Sequence, residues 1–192
     1  MILKHKDRRM DIQDRNQLET CWNQIQQDAL RNNEVPYFLR INGLEIYENL
    51  YETLQENITT EPLEAELVTI HQDQLLMEIR HSLEEYISRV LSQLEQLADP
   101  FYGEVESNHW NKLGVLLEGL DWVMQSWSGL ASMFSEHRQQ QMLSLQRNFE
   151  QATKLLLQEM EAQNHTGIGD CLLYELQPLL EEMQHVLRGA GD

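Results

Sequence analysis

Positive charge is scarce in this chain relative to negative. Fourteen Lys and Arg stand against 32 Asp and Glu, for a formal net charge of −18. A body this acidic repels phosphate backbones, so nucleic acid is a disfavoured partner. The shortage is uneven: residues 1–36 balance to zero, residues 37–100 sum to −10 and residues 101–192 to −8. Lys4, Lys6, Arg8 and Arg9 make a short basic start that reads as a frayed, solvated terminus. Cysteine is nearly absent as well. Cys21 and Cys171 lie too far apart in sequence for metal-ligand spacing and are too few for a disulfide framework, so both read as small hydrophobes on helix faces. No apolar run approaches the roughly 18–20 residues of a membrane span, and the first residues lack a signal-peptide stretch. These absences predict a cytoplasmic chain with neither membrane nor nucleic acid as partner.

What is present is a chain that can fold. Hydrophobic residues make up 41% of 192 and there is no low-complexity tract, enough for one domain or one domain with a satellite. Leu18, Trp22, Ile25 and Ala29 follow helical steps and predict an amphipathic helix over 11–31. After Pro36, the segment YFLRINGLEIY alternates at Tyr37, Leu39 and Ile41 and again at Leu44 and Ile46. Asn42-Gly43 supplies the two left-handed residues of a tight hairpin turn between them. Leu50, Leu54 and Ile58 give a short helix, and beyond Pro62 the alternation of Leu63, Ala65 and Leu67 gives a third strand.

From His71 onward the pattern is helical. One stripe runs through Leu76, Ile79, Leu83, Ile87, Val90, Leu94 and Leu97 and stops at Asp99-Pro100. Ser107 is placed to cap the next helix and Ser135 the one after it. Met142, Leu145, Phe149, Ala152 and Leu156 mark that following helix, and Leu173, Leu176, Leu180, Met183 and Leu187 mark the last, with a kink expected at Pro178. The resulting expectation is an α+β chain, predominantly α-helical: a basic start and amphipathic helix at 1–36, a small ββαβ unit at 37–70, and an antiparallel four-helix bundle at 71–192.

The helix over 108–134 carries two apolar faces. Leu113, Leu117, Leu120, Met124, Trp127, Ala131 and Phe134 form one stripe, and Val115, Gly119, Trp122, Ser126, Gly129 and Met133 form another about 180° away. A surface helix needs only one such face. The second predicts burial under another part of the chain, under a second copy, or under a different protein, whose backbone Gly119, Ser126 and Gly129 would admit closely.

The order of YFLRINGLEIYENLYETL, a strand ending in VTI, LLEGLDWV and DCLLYELQPLLEEM resembles an uncharacterised bacterial family, mainly from Firmicutes, known only as a domain of unknown function. The resemblance spans about residues 37–188 and implies no activity and no catalytic residues.

Chemistry-bearing constellations are weak. Glu78-x-x-His81 and Glu182-x-x-His185, with Glu118 and Glu159, have the composition of a carboxylate-bridged dimetal site in a four-helix bundle. The helical wheel turns Glu78 and His81 about 140–180° from their core stripe, and displaces the second pair and Glu118 similarly, so no metal is expected. His81, His109, His137 and His165 recur at a fixed interval, but their neighbours share nothing and no repeat is inferred. HTGIGD falls short of a phosphate loop, so Gly167 and Gly169 read as turn residues. Neither cysteine has a nearby base. With no cofactor and no catalytic residue expected, the sequence points to a non-enzymatic protein-interaction module, an adaptor or export-chaperone-like helical bundle. The competing expectation is an enzyme or ligand sensor with a pocket where the ββαβ unit meets the bundle.

Overall fold

A computed structural model describes residues 1–58, 63–134 and 136–189. Pro62 and Ser135, expected as a strand-preceding break and a helix cap, lie outside the described residues. The chain is α+β and mostly helical, and it divides into two compact units, Met1–Leu75 and Leu76–Asp192.

The first unit holds a five-stranded sheet in the order β2-β1-β5-β3-β4, from β1 (Ile2–His5), β2 (Arg8–Asp11), β3 (Glu34–Ile41), β4 (Leu44–Ile46) and β5 (Glu64–His71). β1 and β5 run parallel, and the other pairs are antiparallel. The β3–β4 turn has Asn42 at φ 52° and Gly43 at φ 83°, the left-handed pair the Asn-Gly dipeptide predicts. Leu39 pairs with Leu67 and Ile41 with Ala65, while Leu3 pairs with Ala65, so these five side chains share one face. Helices α1 (Arg15–Arg31) and α2 (Leu50–Glu56) cover it with Leu18, Ile25 and Leu54, all essentially buried. Asp14 caps α1 by accepting from the Gln17 backbone N–H at 2.9 Å.

Two features correct the sequence reading. The basic start is no frayed tail: Lys4 and Arg9 face each other across a β1–β2 hairpin, and β1 lies inside the sheet. Residues 1–36 thereby share a unit with residues 37–70. A hairpin of four-residue strands, turned at a left-handed Lys6 rather than at glycine or asparagine, carries little of the pattern that announces strands.

The second unit contains α3 (Gln72–Ala98) from Leu76 on, α4 (Ser107–Ala131), α5 (Glu136–Glu161), α6 (His165–Asp170) and α7 (Gln177–Arg188). A 3₁₀ turn over Asp99–Tyr102 follows α3 where Pro100 forbids continuation, and a π-helical segment over Cys171–Leu176 joins α6 to α7. The segment precedes Pro178, which has no N–H to give the preceding turn, so the backbone widens where a kink was expected. The extra residue in that turn rotates the apolar line, and Leu172 rather than Leu173 is fully buried. Helices α3, α4, α5 and α7 all feed one core cluster, which includes Leu83, Ile87, Leu120, Trp127, Phe149 and Leu180. Trp127 is wholly buried, with its indole N–H donating to the Met142 carbonyl at 3.0 Å.

Caps differ from expectation in two places. Glu106 rather than Ser107 precedes α4, and its backbone N–H donates to His109 Nδ1 at 2.9 Å. Gly167 and Gly169 lie within α6, not in a turn. Asn164 caps that helix by accepting from the Gly167 N–H at 3.3 Å.

Candidate interaction groove between α3 and α4

The inner stripe of α4 runs through Leu113, Leu116, Leu120, Val123, Trp127, Leu130 and Ala131, turned by roughly a third of one residue's 100° step from the expected line, with which it shares Leu113, Leu120, Trp127 and Ala131. Leu117, Met124 and Phe134 are only partly buried at its edge. Within the helical unit the second stripe is not covered as a whole. Val115 is 67% exposed and Trp122 41% exposed, and Gly129 is exposed with nothing within 4 Å of where a Cβ would sit. Ser126 and Met133 are half-buried.

Gly119 has a different task from the one its size suggests. A Cβ at this position would overlap the Tyr86 hydroxyl, so the missing side chain admits a ring from α3 rather than a partner's backbone. Tyr86 then meets Trp122 edge-on, with ring centroids 5.3 Å apart, and the Arg89 guanidinium carbon lies over the Tyr86 ring, 5.3 Å from its centroid. Partial burial raises the Tyr86 phenol above its ordinary pKa, and the Arg89 charge opposes that shift.

Tyr86 and Arg89 line two adjoining hollows. The smaller, of about 290 Å³, is completed by Ser82, Glu85 and Trp122. The larger, of about 720 Å³, has a floor of Val90, Leu94, Leu97, Pro100, Val115 and Leu116. Its polar margin includes Gln93, Gln96, Asp99, His109 and Lys112. Together they make a groove along α3 and α4 with an apolar floor and a polar rim. Of the groove's residues, sequence reasoning singled out Val115 and Trp122 as surface and missed Tyr86, Arg89 and Lys112. The available signal was an aromatic beside the α3 stripe with a glycine on the facing helix.

The residues weighed for metal binding do not converge. His81, Glu118, Glu182 and His185 are exposed on their helices, and Glu159 accepts from the Asn164 side-chain amide at 2.6 Å. His81 Nε2 lies 3.4 Å from Glu85 on its own helix. His109 serves the α4 cap, and His165 packs on Trp110 at 5.7 Å. No cluster of three or more metal-ligating side chains occurs among the described residues.

Two polar groupings outside the groove were not foreseen. In the sheet unit, Lys6 donates to Glu34 at 2.8 Å, Thr69 donates to the same carboxylate at 2.8 Å, and buried His5 lies with Nε2 3.4 Å from the Thr69 hydroxyl. Burial, reinforced by Lys6, lowers the His5 pKa, while the hydrogen bonds from Lys6 and Thr69 lower that of Glu34. In the helical unit, Gly169 lies close beneath Tyr102, whose hydroxyl donates to Asp170 at 2.8 Å. Desolvation and that bond push the Tyr102 phenol up to about 12. Burial pushes the Cys171 thiol up to about 11, the setting of an inert core cysteine.

Among the described residues no helix is long and apolar enough to cross a membrane. No curated protein and no solved structure matches the chain. The resemblance seen over about residues 37–188 is supported over a shorter span, which leaves out the hairpin motif: residues 78–186 match a domain of unknown function, DUF8042, and the chain belongs to that family.

Proposed function

We propose that this chain is a non-enzymatic protein-interaction module, an adaptor or export-chaperone-like protein that uses the α3–α4 groove and the second face of α4. The supporting observation is Val115 and Trp122, exposed at 67% and 41% along an apolar-floored groove. Soluble chains expose isolated apolar side chains routinely, but an aromatic, a β-branched residue and a ready-made hollow along one helix pair resemble a hot spot with its pocket. The four rods with short connections fit an antiparallel four-helix bundle, a scaffold that presents such faces rigidly. Bacterial, cytoplasmic residence in a Firmicutes host belongs to the same reading.

Affinity capture from the native host with tagged wild-type chain and a Val115→Asp/Trp122→Ala variant tests it. The wild type should recover a partner that the variant loses while keeping its circular dichroism and melting profile. Equal recovery by both chains would move the interaction elsewhere, and sedimentation of the pure chain identifies self-association as the cause of any loss.

A further inference from the structure

The larger hollow differs in charge balance from the unit that contains it. Residues 76–192 carry seven Lys and Arg against eighteen Asp and Glu. Yet the larger hollow is lined by Arg89 and Lys112, with Asp99 the single carboxylate among its lining residues. Neither cation has a carboxylate within salt-bridge distance among the described residues. Arg89 stacks on Tyr86 instead, and both cations are exposed. Along α3, the lining between Glu85 and Asp99 offers only the Tyr86 phenol, Gln93 and Gln96 as polar neighbours besides Arg89. Two cations without a close carboxylate thus flank the apolar floor of the larger hollow, on a unit that is otherwise strongly acidic.

We infer that the groove receives an amphipathic helix whose apolar face is flanked by carboxylates. This rests on the interaction reading above and names the chemistry of the partner. From Tyr86 to Pro100 the groove is about 20 Å long at 1.5 Å per residue, the length of a helix of about 14 residues. An apolar stripe at i, i+3, i+4 and i+7 would lie on Val90, Leu94, Leu97, Val115 and Leu116, the helix-in-groove mode of recognition. Glu or Asp beside that stripe would find Arg89 on one wall and Lys112 on the other. The body's net negative charge acts at longer range and is screened beyond about 8 Å at physiological ionic strength, so the contacts at the rim decide.

The probe is a displayed library of 16-residue helices with the apolar stripe fixed and the flanking positions drawn equally from Glu, Lys, Gln and Ser, selected against the full chain. Enriched helices should carry more Glu than Lys beside the stripe. Chosen helices should bind at least tenfold more weakly to Arg89→Glu/Lys112→Glu and regain affinity when their own flanks are changed to Lys. Quenching or blue-shift of Trp122 emission, absent in Trp122→Phe, locates the binding. Selection of Lys-flanked helices, or binding indifferent to the double variant, overturns the charge assignment while leaving a helix-binding groove. Enrichment of no helix at all, with the chain folded by circular dichroism, overturns the interaction reading at this groove together with the inference. Binding of sodium oleate where no helix binds would assign the groove to an anionic amphiphile instead.

Discussion

The two units handle charge in different ways. In the sheet unit, five of the seven Lys and Arg sit in ion pairs: Lys4 with Glu64, Lys6 with Glu34, Arg8 and Arg31 with Asp28, and Arg40 with both Glu45 and Glu66. In the helical unit, among the described residues, Arg188 with Glu84 is the only Lys or Arg ion pair. Arg89 and Arg138 instead lie over the rings of Tyr86 and Phe134. The difference follows from geometry. Neighbouring strands bring side chains of distant sequence face to face, as with Arg40 opposite Glu66, so a sheet face can be balanced residue by residue. A helix exposes a broad polar face to water, where an excess of one sign is tolerated until a partner supplies the other. The paired surface is self-sufficient. The unpaired one has charge and ring surface to offer.

The largest test of this contrast separates burial from exposure within α4. Trp127→Ala removes a wholly buried ring and its hydrogen bond to the Met142 carbonyl, so it should cost about 3–5 kcal/mol in denaturant melts. Trp122→Ala removes a 41% exposed ring with an edge-on neighbour and should cost about 1 kcal/mol. Equal losses would show that Trp122 is structural and would remove the main support for the groove as an interaction surface.

The units should also fail at opposite ends of the pH scale. His5 and Glu34 have lowered pKa values in the folded sheet unit, so in acid the unfolded chain binds protons first. Their stabilisation is full above about pH 6.5 for His5 and 4.5 for Glu34, the ordinary values, and is lost as pH falls through the lowered ones. Cys171 and Tyr102 have raised values, about 11 and about 12, so the helical unit keeps their contribution below the ordinary values of 9.0 and 10.0 and loses it as pH rises to the folded ones. Urea melts read by methyl resonances of each unit at pH 5, 7 and 10.5 should show an acid-labile sheet unit and an alkali-labile helical unit. His5→Gln should flatten the first limb and Cys171→Ala the second.

How much of this was legible in sequence also differs between the units. In the helical unit the five apolar residues marked on α5 are the five that are buried, because a long amphipathic helix repeats its signal over many turns. The Asn-Gly hairpin was legible for the opposite reason, that two residues alone dictate the turn. The β1–β2 hairpin offered neither repetition nor turn chemistry. In the groove, Val115 and Trp122 stood out as surplus apolar residues on a helix that already had a core face. Tyr86 and Gly119 become a pair only when α3 and α4 are side by side, and Arg89 and Lys112 look like ordinary solvated charges until their missing partners are noticed.

Two glycines on α4 sharpen the groove at smaller amplitude. Gly119→Ala forces the Tyr86 ring off the helix and should cost about 1–3 kcal/mol, the range for overpacking, with a change in Trp122 emission. Gly129→Ala meets open space on an exposed helical turn and should stabilise by about 0.5–1 kcal/mol. Were Gly129 covered by a second copy of the chain, the alanine would instead weaken association, which sedimentation of wild type and variant reads directly.

The smallest effect is the most direct probe of the charge contrast. The sheet unit's pairs are mostly exposed, each contributes little, and added salt screens what attraction they have. The helical unit carries eighteen acidic against seven basic side chains with few close pairings, so salt there relieves repulsion more than it removes attraction. Native-state hydrogen exchange at constant pH, compared between 20 mM and 500 mM sodium chloride, should therefore show protection falling slightly in α1 and the five strands and rising in α4, α5 and α7. Replacing chloride salts of different cations controls for specific binding, since screening depends on ionic strength alone. Parallel shifts of the same sign in both units would mean that repulsion, not pairing, dominates the sheet unit too. Its cross-strand ion pairs would then be geometry without energetic consequence.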